Sequence, residues 1–299
     1  MTAEQRRIAL REGLASGRLL RFPGAFTALT ARLIEERGFE GVYISGAVLA
    51  AERGLPDIGL TTLTEVTERG RDISALTTLP TFIDADTGFG EPMNVARTIQ
   101  SLEAAGIAAC HLEDQVNPKR CGHLDGKSVV GTDEMVRRIR AAVGARTDPN
   151  FVICARTDAR AIEGLDATID RAKAYVDAGA DLIFPEALTD LNEFEVFRKA
   201  VGAPILANMT EFGKSELFTT KQLAAAGVSI VIYPVTLLRI AMGAIERALD
   251  SIDAVGTQTH LVPDMQTRTR LYDVLRYEEY SRFDESVFNF TIPTGQEQS

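Results

Sequence analysis

Along almost the whole chain, short runs rich in β-branched and aliphatic residues alternate with longer amphipathic stretches, and no other feature limits the possible folds as strongly. The runs at 19–22, 41–45, 81–84, 108–113, 151–157, 182–185, 205–208 and 229–233 have the length and composition of buried strands. Between them, helical periodicity spans 26–37, 94–105, 133–143, 165–178 and 191–201. Helical segments stop at Gly38, Gly106, Gly179 and Gly227, just ahead of the next strand, where glycine can adopt left-handed φ. Such alternation requires parallel strands joined by crossover helices. Eight of them predict an α/β fold, a closed (β/α)8 barrel of TIM type. An open doubly wound sheet is the alternative, and its nucleotide-binding form is weakened because no GxGxxG follows the first strand and no GxxxxGK[ST] occurs.

The 299 residues, 45% hydrophobic and 25% charged, suit a single domain 1–299. A barrel fills about 1–255 and a helical arm about 256–299. Helical periodicity resumes at 236–252, a polar segment "DAVGTQTHLVPDMQTR" follows, and a second helical stretch runs to about 288. Leu271, Val274, Leu275, Tyr277, Tyr280, Phe283 and Phe288 give the arm an apolar stripe, which must pack on its own barrel or on a neighbour. No apolar run approaches the roughly 20 residues of a membrane span, and the N-terminus lacks a signal-like apolar stretch, so a cytoplasmic protein is expected. A formal charge of −10 argues against nucleic acid or an anionic membrane as the main partner, while leaving an anionic small molecule open. Three widely spaced cysteines, Cys110, Cys121 and Cys154, do not suggest a disulfide framework.

Residues i and i+2 of a strand face the same way. At the C-terminal ends of six consecutive strands this pairs Tyr43 with Ser45, Asp84 with Asp86, His111 with Glu113, Arg156 with Asp158, Phe184 with Glu186 and Asn208 with Thr210. In a barrel those ends converge on the mouth that carries active sites. Asp84, Asp86, Glu113 and Glu186 repel one another there unless positive charge sits among them, supplied by Arg156, a divalent cation or both. "FIDADTGFG" offers oxygen ligands for a hard ion such as Mg2+, or Mn2+, with Asp86 direct, Asp84 direct or through water, and Asp57 and Glu113 in the outer shell. Zinc at Cys110, His111, Cys121 and His123 is disfavoured, because neighbours on a strand point to opposite faces. That reading makes Cys110 an outward-facing core thiol.

Residues 114–131 show no hydrophobic periodicity and contain "NPKRCGH". A loop of this length inside a barrel is usually functional. Lys119, Arg120, His123 and Lys127 surround Cys121 in sequence, a setting that favours anions and acidifies a thiol.

"KRCGH" after "HLEDQ", together with "DADTGFG", "YISGA", "ARTDA", "FPEA", "NMTEFG" and the tail "MQTRTRLYDVLRYEEYSRFDE", resembles the isocitrate lyase/phosphoenolpyruvate mutase superfamily over nearly the whole chain. The pattern is most similar to the branch that cleaves 2-methylisocitrate. The resemblance implies a (β/α)8 barrel whose last helix is exchanged between subunits, usually within a homotetramer. It also implies Mg2+-dependent C–C cleavage of a 2-hydroxy tricarboxylate, here to pyruvate and succinate. Carried over, Ser45, Gly46 and Ala47 would hold the pyruvate-forming end, Asp84 and Asp86 the metal, and Arg156 the developing negative charge. Gly122, His123, Asn208 and Thr210 would bind the succinate-forming carboxylates, with Glu186 completing the wall. Cys121 would be the general acid and Tyr43 the base; Lys119 and His111 belong to the same site. Phe184 stands where isocitrate lyases tend to carry tryptophan, leaving room for the extra methyl. "SGAV" departs from the "SGGG" of some relatives and stiffens the turn at Ala47 and Val48. Isocitrate or 2,3-dimethylmalate cleavage remain alternatives, with oxaloacetate decarboxylation and phosphonate mutation less favoured by the cysteine. A barrel kept only as a binding module is a further reading.

Overall fold

In the computed structural model, which describes residues 1–120, 126–213 and 215–289, every candidate strand is present to within a residue or two. The strands are β1 (Leu20–Pro23), β2 (Val42–Ile44), β3 (Thr81–Asp84), β4 (Ala109–Glu113), β5 (Val152–Thr157), β6 (Leu182–Pro185), β7 (Leu206–Asn208) and β8 (Ile230–Tyr233). All pairings are parallel: β2 to β6 run in sequence order, and β8 lies between β1 and β7. Single parallel bridges, Gly24 to Tyr43 and Ile183 to Ile205, join the two sets into one closed ring.

Both faces of the ring are apolar, as a sheet covered on both sides demands. Leu20, Phe22, Phe82, Val152, Cys154, Leu182, Leu206 and Ile230 fill the interior; Val42, Ile44, Ile83, Cys110, Leu112 and Ile153 pack outward beneath the helices. Phe22 and Phe82 meet edge to face at 6.4 Å between centroids. Cys110 is thus an outward core thiol and Cys154 an inward one, and burial pushes both thiols up.

The helices are α1 (Ala3–Ala15), α2 (Ala28–Glu36), α3 (Gly46–Glu52), α4 (Leu63–Ala75), α5 (Pro92–Ala104), α6 (Thr132–Ala145), α7 (Arg160–Glu163), α8 (Leu165–Asp177), α9 (Leu191–Val201), α10 (Thr220–Ala225), α11 (Thr236–Val255), α12 (Arg268–Leu275) and α13 (Tyr277–Phe288). A 3-10 turn covers Thr259–Asp264. Helix α1, unforeseen in the sequence, closes the N-terminal end of the barrel. Leu10 joins the interior cluster, while Arg6 donates to the carbonyls of Ser74 and Thr77, Arg7 to those of Ile107 and Glu103, and Arg11 to that of Phe151. With that end sealed, function is left to the C-terminal ends of the strands.

"SGAV" opens helix α3 instead of forming a turn. Val48 is buried and Ala47 is a good helix former, so the departure from "SGGG" suits the local structure. The chain divides into two compact units, Met1–Gly243 and Ala244–Ser299, so the division falls inside α11 and earlier than about 255. The second unit carries exposed Tyr280, Phe283 and Phe288. Among the described residues, no helix is long and apolar enough to cross a membrane.

Candidate active site

Register across the sheet brings the strand-end residues together. Asp84 pairs with His111, Glu113 with Arg156, and Arg156 with Phe184. Just beyond, a cavity of about 90 Å3 is lined by Tyr43, Ser45, Ala47, Asp57, Asp84, Lys119, Arg156, Phe184, Glu186, Asn208 and Thr210, all expected from sequence. Four expected residues are set back from it. Gly46 donates its N–H to Asp84 Oδ2 at 3.1 Å, so this amide is committed to the carboxylate and not to a ligand. A Cβ at Gly46 would lie 2.8 Å from the same oxygen, which is why glycine stands there. His111 and Glu113 are buried beneath the cavity, and Asp86 faces a larger cavity of about 490 Å3 that Thr87 and Asn117 also line. The smaller cavity holds the charged and acid–base groups. Cys121, Gly122 and His123 lie outside the described residues.

Burial and charge shift the two aspartates in opposite directions. Burial opposes ionisation of Asp84, but Lys119, Arg156 and the N–H of Asp86 at 3.0 Å outweigh it and hold Asp84 at about 2. Burial and the Asp84 charge push Asp86 up to about 6, against Lys119. Burial and neighbouring carboxylates likewise raise Glu113 well above its ordinary range, although Arg156 opposes this. Both Glu113 oxygens are buried without a hydrogen-bond donor, Oε2 lying 3.4 Å from Arg156 Nε, and Asp86 Oδ1 faces the Lys119 ammonium at 2.7 Å. An excess of hard, buried oxygen acceptors fits a divalent cation that keeps water ligands. Among the described residues no His, Cys, Asp or Glu set of three or more forms a closed metal cage.

Lys119 was expected beside Cys121 as a loop cation. Its ammonium instead bonds Asp57 and sits 2.7 Å from Asp86 Oδ1, almost fully buried, and these carboxylates raise it well above an ordinary lysine despite desolvation. Lys127 is similarly committed to Asp158 at 2.8 Å. Both lysines are drawn inward because buried carboxylates need counter-charge, and Arg120 lines the cavity beside Lys119.

Tyr43 and His111 form a buried pair, the phenol oxygen 2.7 Å from Nε2, with Asp84 Oδ1 3.6 Å from the same nitrogen. Burial holds His111 neutral, at about 4. Burial, then Asp84, keeps the Tyr43 phenol protonated. Phe184 is wedged between the His111 ring, edge to face at 5.3 Å, and the Arg156 guanidinium at 5.0 Å. Arg156 also lies 3.3 Å from Glu186, whose carboxylate accepts from Asn208.

Arg239, in the first turn of α11, lines the cavity and was not foreseen. It pairs with Glu211 at 2.9 Å. Its position past the end of β8 was the available signal, since the helix start at 236 put it at the barrel mouth.

Residues 10–253 match the phosphoenolpyruvate phosphomutase family model. The chain is 63% identical to the probable 2-methylisocitrate lyase 2 of Corynebacterium glutamicum, over 96% of this chain and 94% of that one. It is 48% identical to the 2-methylisocitrate lyase of Shewanella oneidensis, over 94% and 97%. Among solved structures, it superposes on oxaloacetate acetylhydrolase bound to 3,3-difluorooxalacetate with a TM-score of 0.90, at 34% identity over 97% and 99% of the chains. For 2,3-dimethylmalate lyase the TM-score is 0.89, at 34% identity over 98% and 99%. A phosphonopyruvate hydrolase complex with oxalate and Mg2+ gives 0.84, at 29% identity over 97% and 99%. The chain therefore belongs to the phosphoenolpyruvate phosphomutase family, the (β/α)8-barrel superfamily that includes the isocitrate lyases, and within it groups with the 2-methylisocitrate lyases.

Proposed function

We propose that this chain is a Mg2+-dependent carbon–carbon lyase that cleaves 2-methylisocitrate to pyruvate and succinate. The observation that carries the reading is one cavity lined both by the Asp84 carboxylate and by Arg156, Asn208 and Thr210. That is the polarity a substrate needs if one half leaves as an oxyanion and the other as a carboxylate-bearing carbanion. The 63% identity to a probable 2-methylisocitrate lyase names the substrate.

In this reading Asp84 and Asp86 hold Mg2+, or Mn2+, with Asp57 and Glu113 behind. Bound there, the ion supplies Lewis acidity to the 2-hydroxyl and its carboxylate. The chain's own groups do the rest. Ser45 and Ala47 bound the pyruvate-forming end, and the Gly46 amide steadies Asp84. Arg156 stabilises the oxyanion as it forms. A protonated phenol is a poor base, so Tyr43 would act as a relay: its oxygen would take the hydroxyl proton as its own proton passes to His111 Nε2, 2.7 Å away, with Asp84 Oδ1 3.6 Å from that nitrogen to hold the imidazolium so formed. The electron pair of the broken C–C bond stays on the succinate carbon and is quenched by the Cys121 thiol proton. Asn208, Thr210, Gly122 and His123 bind the succinate carboxylates, and Glu186 holds Asn208. Phe184 leaves space for the methyl, a contact worth about 1–3 kcal/mol in discrimination.

The direct test is purified protein with Mg2+ and 2-methylisocitrate, isocitrate or 2,3-dimethylmalate, with pyruvate, glyoxylate and succinate measured. Pyruvate and succinate from the first substrate are expected to dominate. Equal or faster turnover of either other substrate overturns the specificity, and no cleavage of any overturns the reaction class. Oxalate, which phosphonopyruvate hydrolase binds with Mg2+, serves as a stand-in for the planar enolate of pyruvate.

The exposed aromatic residues of α13 support a helix-exchanged homotetramer. Deleting the residues after Gly256 is expected to give smaller or insoluble species by light scattering. A fully active tetramer from the truncated chain would exclude the exchange.

A further inference from the structure

Arg156 is gripped along one edge of its guanidinium. Nε donates to Asp158 Oδ2 at 2.9 Å and Nη2 to Oδ1 at 3.2 Å, a two-point contact between residues i and i+2 of one chain. Asp158 is fully buried, and its second cation, Lys127, reaches Oδ1 at 2.8 Å from within the 114–131 loop. The Asp158 N–H donates to Asp114 Oδ1 at 2.9 Å, and Asp114 accepts from the Tyr175 hydroxyl of α8 at 2.8 Å. Asp158 therefore ties β5, both ends of the loop and α8 to a cation that lines the substrate cavity.

What Asp158 prevents is as informative as what it holds. Glu113 Oε2 lies 3.4 Å from Arg156 Nε, and Glu186 Oε2 lies 3.3 Å from Nη2. Both carboxylates are buried and compete for the guanidinium. Released from Asp158, Arg156 would rotate onto them, and its planar fork would no longer present the same edge to the cavity. Among the described residues no hydrogen bond or ion pair engages Nη1, which is left for a ligand.

We propose that Asp158 is a positioning residue for the cleavage reaction: it clamps the Nε edge of Arg156, keeps Nη1 directed at the cavity, and through Lys127 makes that direction depend on the 114–131 loop. The proposal rests on the lyase reading above. Its alternative is an ion pair that only stabilises the fold.

The test is Asp158→Asn in two backgrounds, wild type and Arg156→Lys, following kcat, KM and the affinity for oxalate with Mg2+. In the wild-type background kcat should fall about 100-fold with KM changed by less than about 3-fold, because misdirecting a catalytic group costs that much while ground-state binding persists. Oxalate affinity should fall about 10-fold. Lysine has no planar fork to aim, so in the Arg156→Lys background the same substitution should change each quantity by less than about 3-fold. Equal losses in both backgrounds would assign Asp158 to the fold alone and overturn the proposal. If Asp158→Asn does not fold, Lys127→Met is compared in the same way. A loss of about 10-fold in kcat confined to the Arg156 background supports the proposal, and equal or absent losses overturn it. Should the wild-type protein fail to cleave 2-methylisocitrate, the lyase reading falls and the oxalate cycle alone decides on Asp158. Failure to bind oxalate as well overturns both.

Discussion

Asparagine in place of Asp86 is expected to lower kcat/KM for 2-methylisocitrate by about a thousandfold or more, and to remove measurable Mg2+ binding in calorimetric titration. Asparagine is the informative substitution because residue 86 has φ +46°, a left-handed conformation that Asn and Asp tolerate and Ala does not. It also leaves Lys119 its bond to Asp57. The effect on stability should run the other way. Burial and the Asp84 charge raise the Asp86 carboxyl from an ordinary 3.8 to about 6. A carboxyl whose folded value lies above its unfolded one favours the fold below about pH 4 and loses that advantage as pH rises through about 6. At pH 8 metal-free wild-type protein therefore carries an unfavourable buried charge that Asp86→Asn lacks. The variant should melt higher than wild type when both are metal-free at pH 8, with the gap closing at pH 5. Added Mg2+ should raise the melting temperature of wild type alone. More than about a tenth of wild-type kcat/KM, with unchanged Mg2+ affinity, would remove Asp86 from the metal site.

That opposition between stability and function also bears on what could be read from sequence. Asp84 and Asp86 were legible because two-residue spacing at a strand end leaves few orientations, and Tyr43, Arg156, Phe184 and Asn208 were legible for the same reason. The strands themselves were found because strands buried on both faces are nearly continuous apolar runs. Helix α1 was not, because its anchors are Arg6, Arg7 and Arg11 reaching backbone carbonyls at the base of the barrel, and hydrophobic periodicity does not register such contacts. The turn read at Ala47 and Val48 is instead the start of α3, and Gly46 there serves close approach to Asp84. The inward turn of Lys119 and Lys127 was hidden for a different reason. A loop rich in cations looks solvated until its carboxylate partners are located, and Asp57 and Asp158 lie 62 and 31 residues away along the chain. The Asp158–Asp114–Tyr175 connection spans separations of 44 and 61 residues and leaves no local signature at all.

Cys121→Ser is expected to lower kcat about a thousandfold while changing KM by less than about 3-fold, since a general acid acts in the transition state and contributes 100- to 10,000-fold. Once the C–C bond breaks, the succinate half holds an electron pair on carbon, and none of the described residues at the cavity is suited to give it a proton. Lys119 is held as an ammonium by several carboxylates, and Tyr43 is raised well above an ordinary phenol by burial and Asp84. His111 is buried beneath the cavity with Nε2 engaged by Tyr43, and Arg156 does not release protons near neutral pH. A thiol is acidic enough to give up its proton near neutrality, and a serine hydroxyl of nearly the same shape is not. Substituting one for the other therefore isolates acidity from packing. The variant should fold with an unchanged melting temperature and bind succinate as wild type does. Under substrate it should lose product release from the succinate half first, so that any residual turnover is limited by protonation and slows in deuterium oxide. A kcat within about 10-fold of wild type would exclude Cys121 as the acid.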